Sequence, residues 1–459
     1  MISDFINIDR SSDKPMYIQI YREIKNAIEN GNIKEDEKIP SVRKLCYDLN
    51  VSKTTIENAY SLLCAEGYII NIPKKGYYIE KGLYINKSSA KKNEENKNVK
   101  LYKYDFSGKG IDKNCSNIKE WKKYVKDILN KEYLLNTYSE SQGEESLRKA
   151  ISKYSFTTRG VNCDSKNIII GSGSQTLIYI LCGIIGLDKK VAIEKNTFPQ
   201  AEQVFKDFNY NINYTKNDKK GITTKSLDQI KPDILVINPN YNSDNGSTTP
   251  IARKIEIINW AKKNDCLIIE DDYNGELRYK THAQSCIQSY SPENVVYLGS
   301  FSKIITPGMR LGYIIAHKEI ISLVETAKQA ADLHSNIFGQ YLISDYLQNN
   351  DLDKHIEKIK ALYKAQSSAM VNAMKKYFPK DIKFTIPKGG MFTWVTLNEG
   401  QSSLELFNKA IAKNVAFVPG DPFYVNEHNV NTLRLNYTNA TQERIEEGIK
   451  RLADTIKEN

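Results

Sequence analysis

The stretch Val295-Val296-Tyr297-Leu298-Gly299-Ser300-Phe301-Ser302-Lys303 runs from an apolar, β-branched opening into a small polar turn that ends on a lysine. That transition puts the lysine just past the carboxyl end of a strand, where ligands gather in open α/β sheets. Arg310 follows seven residues later, after Pro307-Gly308. An amine that attacks an aldehyde must be neutral, which calls for desolvation or neighbouring positive charge. Ser300 and Arg310 offer a hydroxyl and a forked cation suited to a phosphate dianion. With 65 Lys and Arg residues in the chain, one lysine decides nothing alone.

Working outward, short β-branched runs recur at residues 167–170, 191–194, 234–238, 266–270 and 312–316, alternating with longer amphipathic stretches. The alternation predicts an α/β domain with a mostly parallel sheet. Four further pieces bear on a ligand. Ile268-Ile269-Glu270-Asp271-Asp272-Tyr273 is a second buried strand ending in charge: a carboxylate there suits a protonated ring nitrogen and the phenol suits a ring oxygen, although a solvated acidic strand end reads the same way. Gly171-Ser172-Gly173-Ser174-Gln175 joins a strand to an apolar helix expected near Thr176, and amides at a helix start cradle phosphate. Phe198 follows another strand, placed to stack on a flat ring or to fill core. Arg434, in Thr432-Leu433-Arg434-Leu435-Asn436, is a cation among apolar neighbours and needs an anionic partner, whether a ligand carboxylate or a structural acid.

The first 80 residues have a different texture. Apolar residues 17, 20, 24, 27 and 28 make one helical face after Pro15. Ser41 caps a helix over 42–49 and Ser52 caps a second, whose stripe is Ile56, Ala59, Tyr60 and Leu63. Residues 68–71 and 77–80 pair as a hairpin across Pro73-Lys74-Lys75-Gly76. Two capped helices and a basic-tipped hairpin describe a winged helix-turn-helix. Ser52, Lys53, Thr54 and Thr55 would lead the second helix into a major groove, with Arg43, Lys74 and Lys75 on backbone phosphates. A helical interaction domain with solvated lysines fits the same pattern.

Composition narrows the classes. The 459 residues are 40% apolar and 26% charged, which excludes disorder throughout. No apolar run approaches the roughly 18 residues of a membrane span, and the first ten residues lack a secretory apolar core. The net charge of +10 is spread out. Residues 1–82 hold 12 Lys/Arg against 12 Asp/Glu, so bulk charge does not argue for DNA and local pattern must. Residues 86–100 are almost devoid of apolar side chains and read as a flexible linker. The seven cysteines show no metal-type spacing, so reduced thiols in a cytoplasmic protein are expected, with no metal site.

Residues 15–28, Ile39-Pro40-Ser41-Val42-Arg43 with Leu45 and Leu49, Val51 to Thr55, and residues 60–67 closely resemble the GntR-family DNA-binding domain. The resemblance implies an operator-binding module with Arg43 and residues 52–55 in DNA contact. From about residue 102 onward, the pieces above, with residues 138–148, Gly389-Gly390-Met391-Phe392 and Phe417-Val418-Pro419-Gly420, resemble a fold-type I pyridoxal-phosphate aminotransferase. By that similarity Lys303 is the Schiff-base lysine, Asp271 pairs with the pyridine nitrogen, and Tyr273 reaches the phenolic oxygen. Ser174, Gln175, Ser300 and Arg310 hold the phosphate, Phe198 stacks on the ring, and Arg434 takes an α-carboxylate. Tyr138 reaches the phosphate of a partner subunit. The family's Asn-Pro-x-Gly is replaced here by residues 241–246, where Asn242 serves after a small shift and Ser243 takes the aligned place.

The combination resembles the MocR/GabR-type transcriptional regulators. It implies residues 1–82 as DNA reader, 83–103 as linker and 104–459 as effector domain, in a homodimer on double-stranded operator DNA. The effector, an amino compound or pyridoxal phosphate itself, would be sensed through an external aldimine. The alternative is an active aminotransferase with an appended DNA-binding head; turnover with a keto acid separates the two.

Overall fold

The computed structural model describes residues 6–10, 12, 14–81, 102–108, 118–194, 199–240, 248–279, 284–349, 351–423 and 430–458. The chain divides into two compact units, Met1–Val99 and Lys100–Asn459.

In the first unit, α1 (Met16–Glu29) buries Ile20, Ile24, Ala27 and Ile28. α2 (Val42–Leu49) starts at Ser41, whose side chain accepts the Lys44 amide, and stops at Asn50, which enters the left-handed region at φ 51°. α3 (Lys53–Ala65) starts at Ser52, which accepts the Thr55 amide, and buries the expected stripe Ile56, Ala59, Tyr60 and Leu63. The Tyr60 hydroxyl donates to the Pro40 carbonyl at 2.8 Å, fixing α3 against the entry to α2. β1 (Ile69–Ile72) and β2 (Gly76–Ile79) pair antiparallel. They sit one residue off the expected bounds because Lys74 takes φ 64° and the turn closes by Lys75 donating to Ile72.

The second unit is built on a seven-stranded sheet. Its strands are β3 (Ile168–Gly171), β4 (Lys190–Ile193), β5 (Asn211–Tyr214), β6 (Ile234–Ile237), β7 (Leu267–Asp272), β8 (Val295–Ser300) and β9 (Gly312–Ile315). The spatial order is β3-β9-β8-β7-β6-β4-β5. All pairings are parallel except those of β9, which runs antiparallel to both neighbours. Side chains on alternate positions enter different cores: Ile168 and Ile170 join one cluster, Ile169 the other. Both faces are therefore dry, which is why these strands read as unbroken apolar runs rather than alternating ones. β5, with sequence NINY, is an edge strand whose polar residues hid it from that reading.

Register brings distant segments together. Ser300 pairs with Gly312, and Gly312 with Gly171, so the end of β8 and the Gly-Ser loop after β3 flank one strand. Asp271 pairs with Leu298 and Asp272 with Gly299, which sets the acidic end of β7 beside the lysine turn. Of the helices, α4 (Glu145–Arg159) contributes Arg159 to the interior, and α5 (Ser174–Ile185) begins two residues before the expected Thr176. A second, antiparallel sheet has the order β10-β11-β13-β12: β10 (Lys383–Phe384), β11 (Phe392–Thr396), β12 (Val418–Pro419) and β13 (Thr432–Asn436). α6 (Asp351–Tyr377) and α7 (Gln442–Lys457) are joined by Lys376 to Glu446 at 2.9 Å. Among the described residues no helix is long and apolar enough to cross a membrane.

Candidate functional site

A cavity of about 510 Å³ lies where these strand ends meet, and Lys303, Asp271, Tyr273, Ser174, Gln175, Ser300, Arg310 and Arg434 all line it. Gly173, at φ 97°, lets the chain turn into α5 with no side chain capping the helix start. A Cβ at Gly173 would come within 2.9 Å of the Arg310 guanidinium, so only glycine lets that cation close on the loop. Arg310 itself sits at φ 49° and donates to the Ser172 carbonyl at 3.4 Å. Open helix-start amides, the Ser174 and Ser300 hydroxyls and Arg310 make one anion-binding pole.

Asp271 lines the same cavity. It is buried, and its Oδ1 has no hydrogen-bond partner. Burial, and then the neighbouring Asp272 carboxylate, lift its carboxyl to about 7. A buried carboxylate without a donor is costly unless a cation meets it. Asp272 is already satisfied: its Oδ2 lies 2.6 Å from Arg159 Nε and accepts the Tyr297 hydroxyl at 2.9 Å, and its Oδ1 accepts from Asn240 Nδ2 at 2.8 Å. Glu270, one residue earlier, accepts the backbone N–H groups of Ile287 and Gln288. Of three successive acids only Asp271 faces the cavity. Burial, then the charges of Arg434 and Arg310, hold the Lys303 ammonium below the usual lysine range. Tyr273 is pushed up by burial and by Asp271 and stays a hydroxyl.

These groups fit a pyridoxal-phosphate-type group: an anion pole, an orphaned acid for a ring nitrogen, and an amine with lowered basicity, all on one cavity. Sequence reading missed other walls of the cavity, among them Ser107, Gly108, Pro422, Phe423 and Asn436, which carry no local signal of their own. The Arg434 guanidinium carbon lies over the rings of Phe392 and Phe423, at 4.7 and 4.6 Å. Tyr138 is not part of this cavity; its side chain is 84% exposed, beside the His334 ring. Phe198 and Asn242 lie outside the described residues, as does most of the expected linker.

In the first unit Arg43, Lys53, Thr54, Lys74 and Lys75 are exposed. Lys53 pairs with Glu57 at 3.0 Å. The Ser52 hydroxyl is engaged by Thr55, through its amide at 3.2 Å and its hydroxyl at 2.8 Å, so Ser52 shapes the start of α3.

Fold and site together define a two-module protein, a winged helix-turn-helix ahead of an α/β body of the transferase kind. The model of aminotransferase class I and II matches residues 104–452, and that of bacterial regulatory proteins of the gntR family matches 16–79. The chain belongs to the class I and II aminotransferase family, carries a GntR head, and has the MocR-type architecture. Aromatic-amino-acid aminotransferase 1 of Thermococcus litoralis is 37% identical over 303 residues, covering 64% of this chain and 73% of that protein. The Bacillus subtilis protein described as an uncharacterized HTH-type transcriptional regulator, YdeL, is 28% identical over 469 residues, covering 98% of each. Among solved structures, the α-aminoadipate aminotransferase LysN of Thermus thermophilus, complexed with N-(5'-phosphopyridoxyl)-L-leucine, superposes with a TM-score of 0.73 at 28% identity. That match covers 79% of this chain and 94% of LysN.

Proposed function

We propose that this protein is a pyridoxal-phosphate-dependent, DNA-binding transcriptional regulator whose aminotransferase-like domain senses an amino compound. The observation that carries the reading is the convergence of Lys303, Asp271, Arg310 and Arg434 on one cavity, in a chain that begins with a GntR head. Full-length similarity to a protein named as a transcriptional regulator supports it.

Pyridoxal phosphate, when bound, supplies an aldehyde that condenses with amines and a ring that withdraws electrons. In this reading Arg310, Ser300, Ser174 and Gln175 grip the phosphate, and Asp271 accepts the ring N–H. Tyr273 donates to the ring oxygen, and Phe198 and Asn242 complete the contacts. Lys303 would supply the amine that holds the aldehyde in the resting protein, and Arg434 would meet the carboxylate of an effector amine that takes its place. Displacement shifts the balance between two arrangements of the chain by the effector's differential affinity for them. Residues 83–103 transmit that shift to residues 1–82, where Arg43, residues 52–55, Lys74 and Lys75 hold operator DNA. The working unit is a cytoplasmic homodimer that presents two heads to paired half-sites, with Tyr138 directed to the neighbouring subunit's phosphate.

The test titrates amino compounds into cofactor-loaded, full-length protein while following its visible absorption and its affinity for DNA from its own promoter. Regulation requires both to change together. Multiple turnovers with a keto acid, with DNA affinity constant, would replace the regulator with an enzyme.

A further inference from the structure

The segment ahead of α1 is built into the first unit. Ile6 is buried in the same core as Ile20, Leu45 and Ile56, and Ile8 packs against that core. The Gln19 side chain on α1 fastens the residues that follow. Its Oε1 accepts the Asp9 N–H at 2.9 Å, and its Nε2 donates to the carbonyls of Asp9 and Lys14 at 3.1 and 2.8 Å. Both ends of that amide are spent on the segment, which fixes where its last described cation stands.

That cation is Arg10. Its Nη2 donates to the Asn50 carbonyl at 3.3 Å, across 40 residues of chain. Asn50 closes α2 in the left-handed region and stands two residues before Ser52, the cap of α3. A guanidinium carries five N–H donors in a fixed fork, and one donor serves the Asn50 carbonyl. Arg10 is exposed, so the rest of the fork is open to solvent at the entry to α3.

The face that holds this cation is the one that carries Arg43. Arg43, Tyr47 and Asn50 recur at i, i+4 and i+7 and form one stripe of α2 and its cap, while Leu45 turns inward and is fully buried. Tyr47, in the middle of the stripe, is 89% exposed, so no described residue covers it. In a helix-turn-helix the second helix enters the major groove by its first residues and the first helix crosses the backbone. Phosphates that flank the groove then pass the Arg43 stripe and the loop before Ser52. Lys53, the first cation of α3, is paired with Glu57. Arg10 instead hydrogen-bonds a neutral carbonyl, which leaves its charge for an anion, and the forked guanidinium suits a phosphate.

We propose that Arg10 is a DNA-phosphate contact, delivered to the entry of α3 by the segment ahead of α1 and held there by Gln19. The inference rests on the DNA-binding role proposed above and adds to that surface a residue from outside the helix-turn-helix. Gln19 touches no DNA in this account; it is a positioning residue.

The experiment measures binding of full-length protein to a labelled duplex from its own promoter, and to a scrambled duplex, by fluorescence anisotropy across a salt series. Arg10→Ala is expected to weaken both duplexes by roughly three- to thirtyfold at low salt and to lower the log–log salt slope by about one. Arg10→Lys is expected to keep the slope. An arginine that only braced the Asn50 turn would weaken binding at every salt concentration with the slope intact. An unchanged slope in Arg10→Ala therefore overturns the inference and leaves the DNA-binding role standing. A parent protein that binds neither duplex overturns both. In a Gln19→Ala background the further loss from Arg10→Ala is expected to shrink, because the segment no longer holds the guanidinium in place. Full additivity of the two losses overturns the positioning role of Gln19.

Discussion

Arg159 Nε lies 2.6 Å from Asp272 Oδ2, and both side chains are wholly withdrawn from water. The pair sits one residue from Asp271, so it decides whether a second negative charge stands beside the acid that faces the cavity. Arg159 also donates to the Gln284 carbonyl at 2.8 Å, which ties α4 to the chain beyond β7. Removing one member strands a buried charge, a loss of about 3–5 kcal/mol. Arg159→Met is therefore expected to destabilise strongly and to load cofactor poorly. Pairing it with Asp272→Asn removes the stranded charge, and chemical denaturation should show the double variant more stable than Arg159→Met alone.

Lys303 gives a second prediction, in which direction matters more than size. Burial lowers its basicity first, and the positive charge of Arg434 contributes next. Taking away Arg434 removes a cation that disfavours the ammonium, so Arg434→Met should raise the pH at which the lysine amine becomes reactive. The readout is borohydride trapping of pyridoxal phosphate as a function of pH, with the midpoint moving upward in the variant. Lys303→Ala should trap nothing there while still retaining the cofactor non-covalently through Arg310, the α5 start and Asp271.

Much of this site was legible because its residues sit at the ends of strands, and strand ends announce themselves by a change from β-branched to small polar residues. Lys303 after β8, Asp271 in β7 and the loop after β3 were found that way. The pairings that give the site its properties were not legible. Arg159 and Asp272 are 113 residues apart, and an arginine closing a helix reads as an ordinary C-terminal cation until the fold buries it. Phe423 over Arg434 is the same case: an aromatic in a short turn carries no mark of its partner. The start of α5 was misjudged by two residues because Gly173 takes φ 97°, a conformation that sequence pattern does not encode beyond the glycine itself.

Asp271 predicts how stability follows pH in the absence of cofactor. Its folded value, about 7 and raised by burial and by Asp272, lies above the ordinary carboxyl value near 4. Ionising it in the fold therefore costs stability that the unfolded chain does not lose. The cost is absent below about pH 4, grows between about 4 and 7, and is constant above that range. Asp271→Asn removes it. The cofactor-free variant should match the parent in thermal midpoint near pH 4 and exceed it near pH 8. Adding pyridoxal phosphate should reverse the order at pH 8, because only the carboxylate can pair with a ring cation.

In the GntR-type unit, residues that shape α3 are distinct from those proposed to contact DNA phosphate. The Ser52 hydroxyl is spent on the Thr55 amide, so Ser52→Ala should cost about 1 kcal/mol of stability in that unit and weaken all sequences alike. Lys74 and Lys75 stand at the hairpin tip, both exposed, with Lys74 in the left-handed region at φ 64°. Each lysine that contacts a phosphate releases about one counterion, so Lys74→Ala should lower the salt dependence of binding by about one in log–log slope without changing sequence preference. Lys53 differs from both, because Glu57 holds it at 3.0 Å along the helix face. Glu57→Gln frees that ammonium for the DNA and removes a repulsive carboxylate, so binding should tighten and its salt slope steepen. An unchanged slope in fluorescence anisotropy would place Lys53 away from the phosphates.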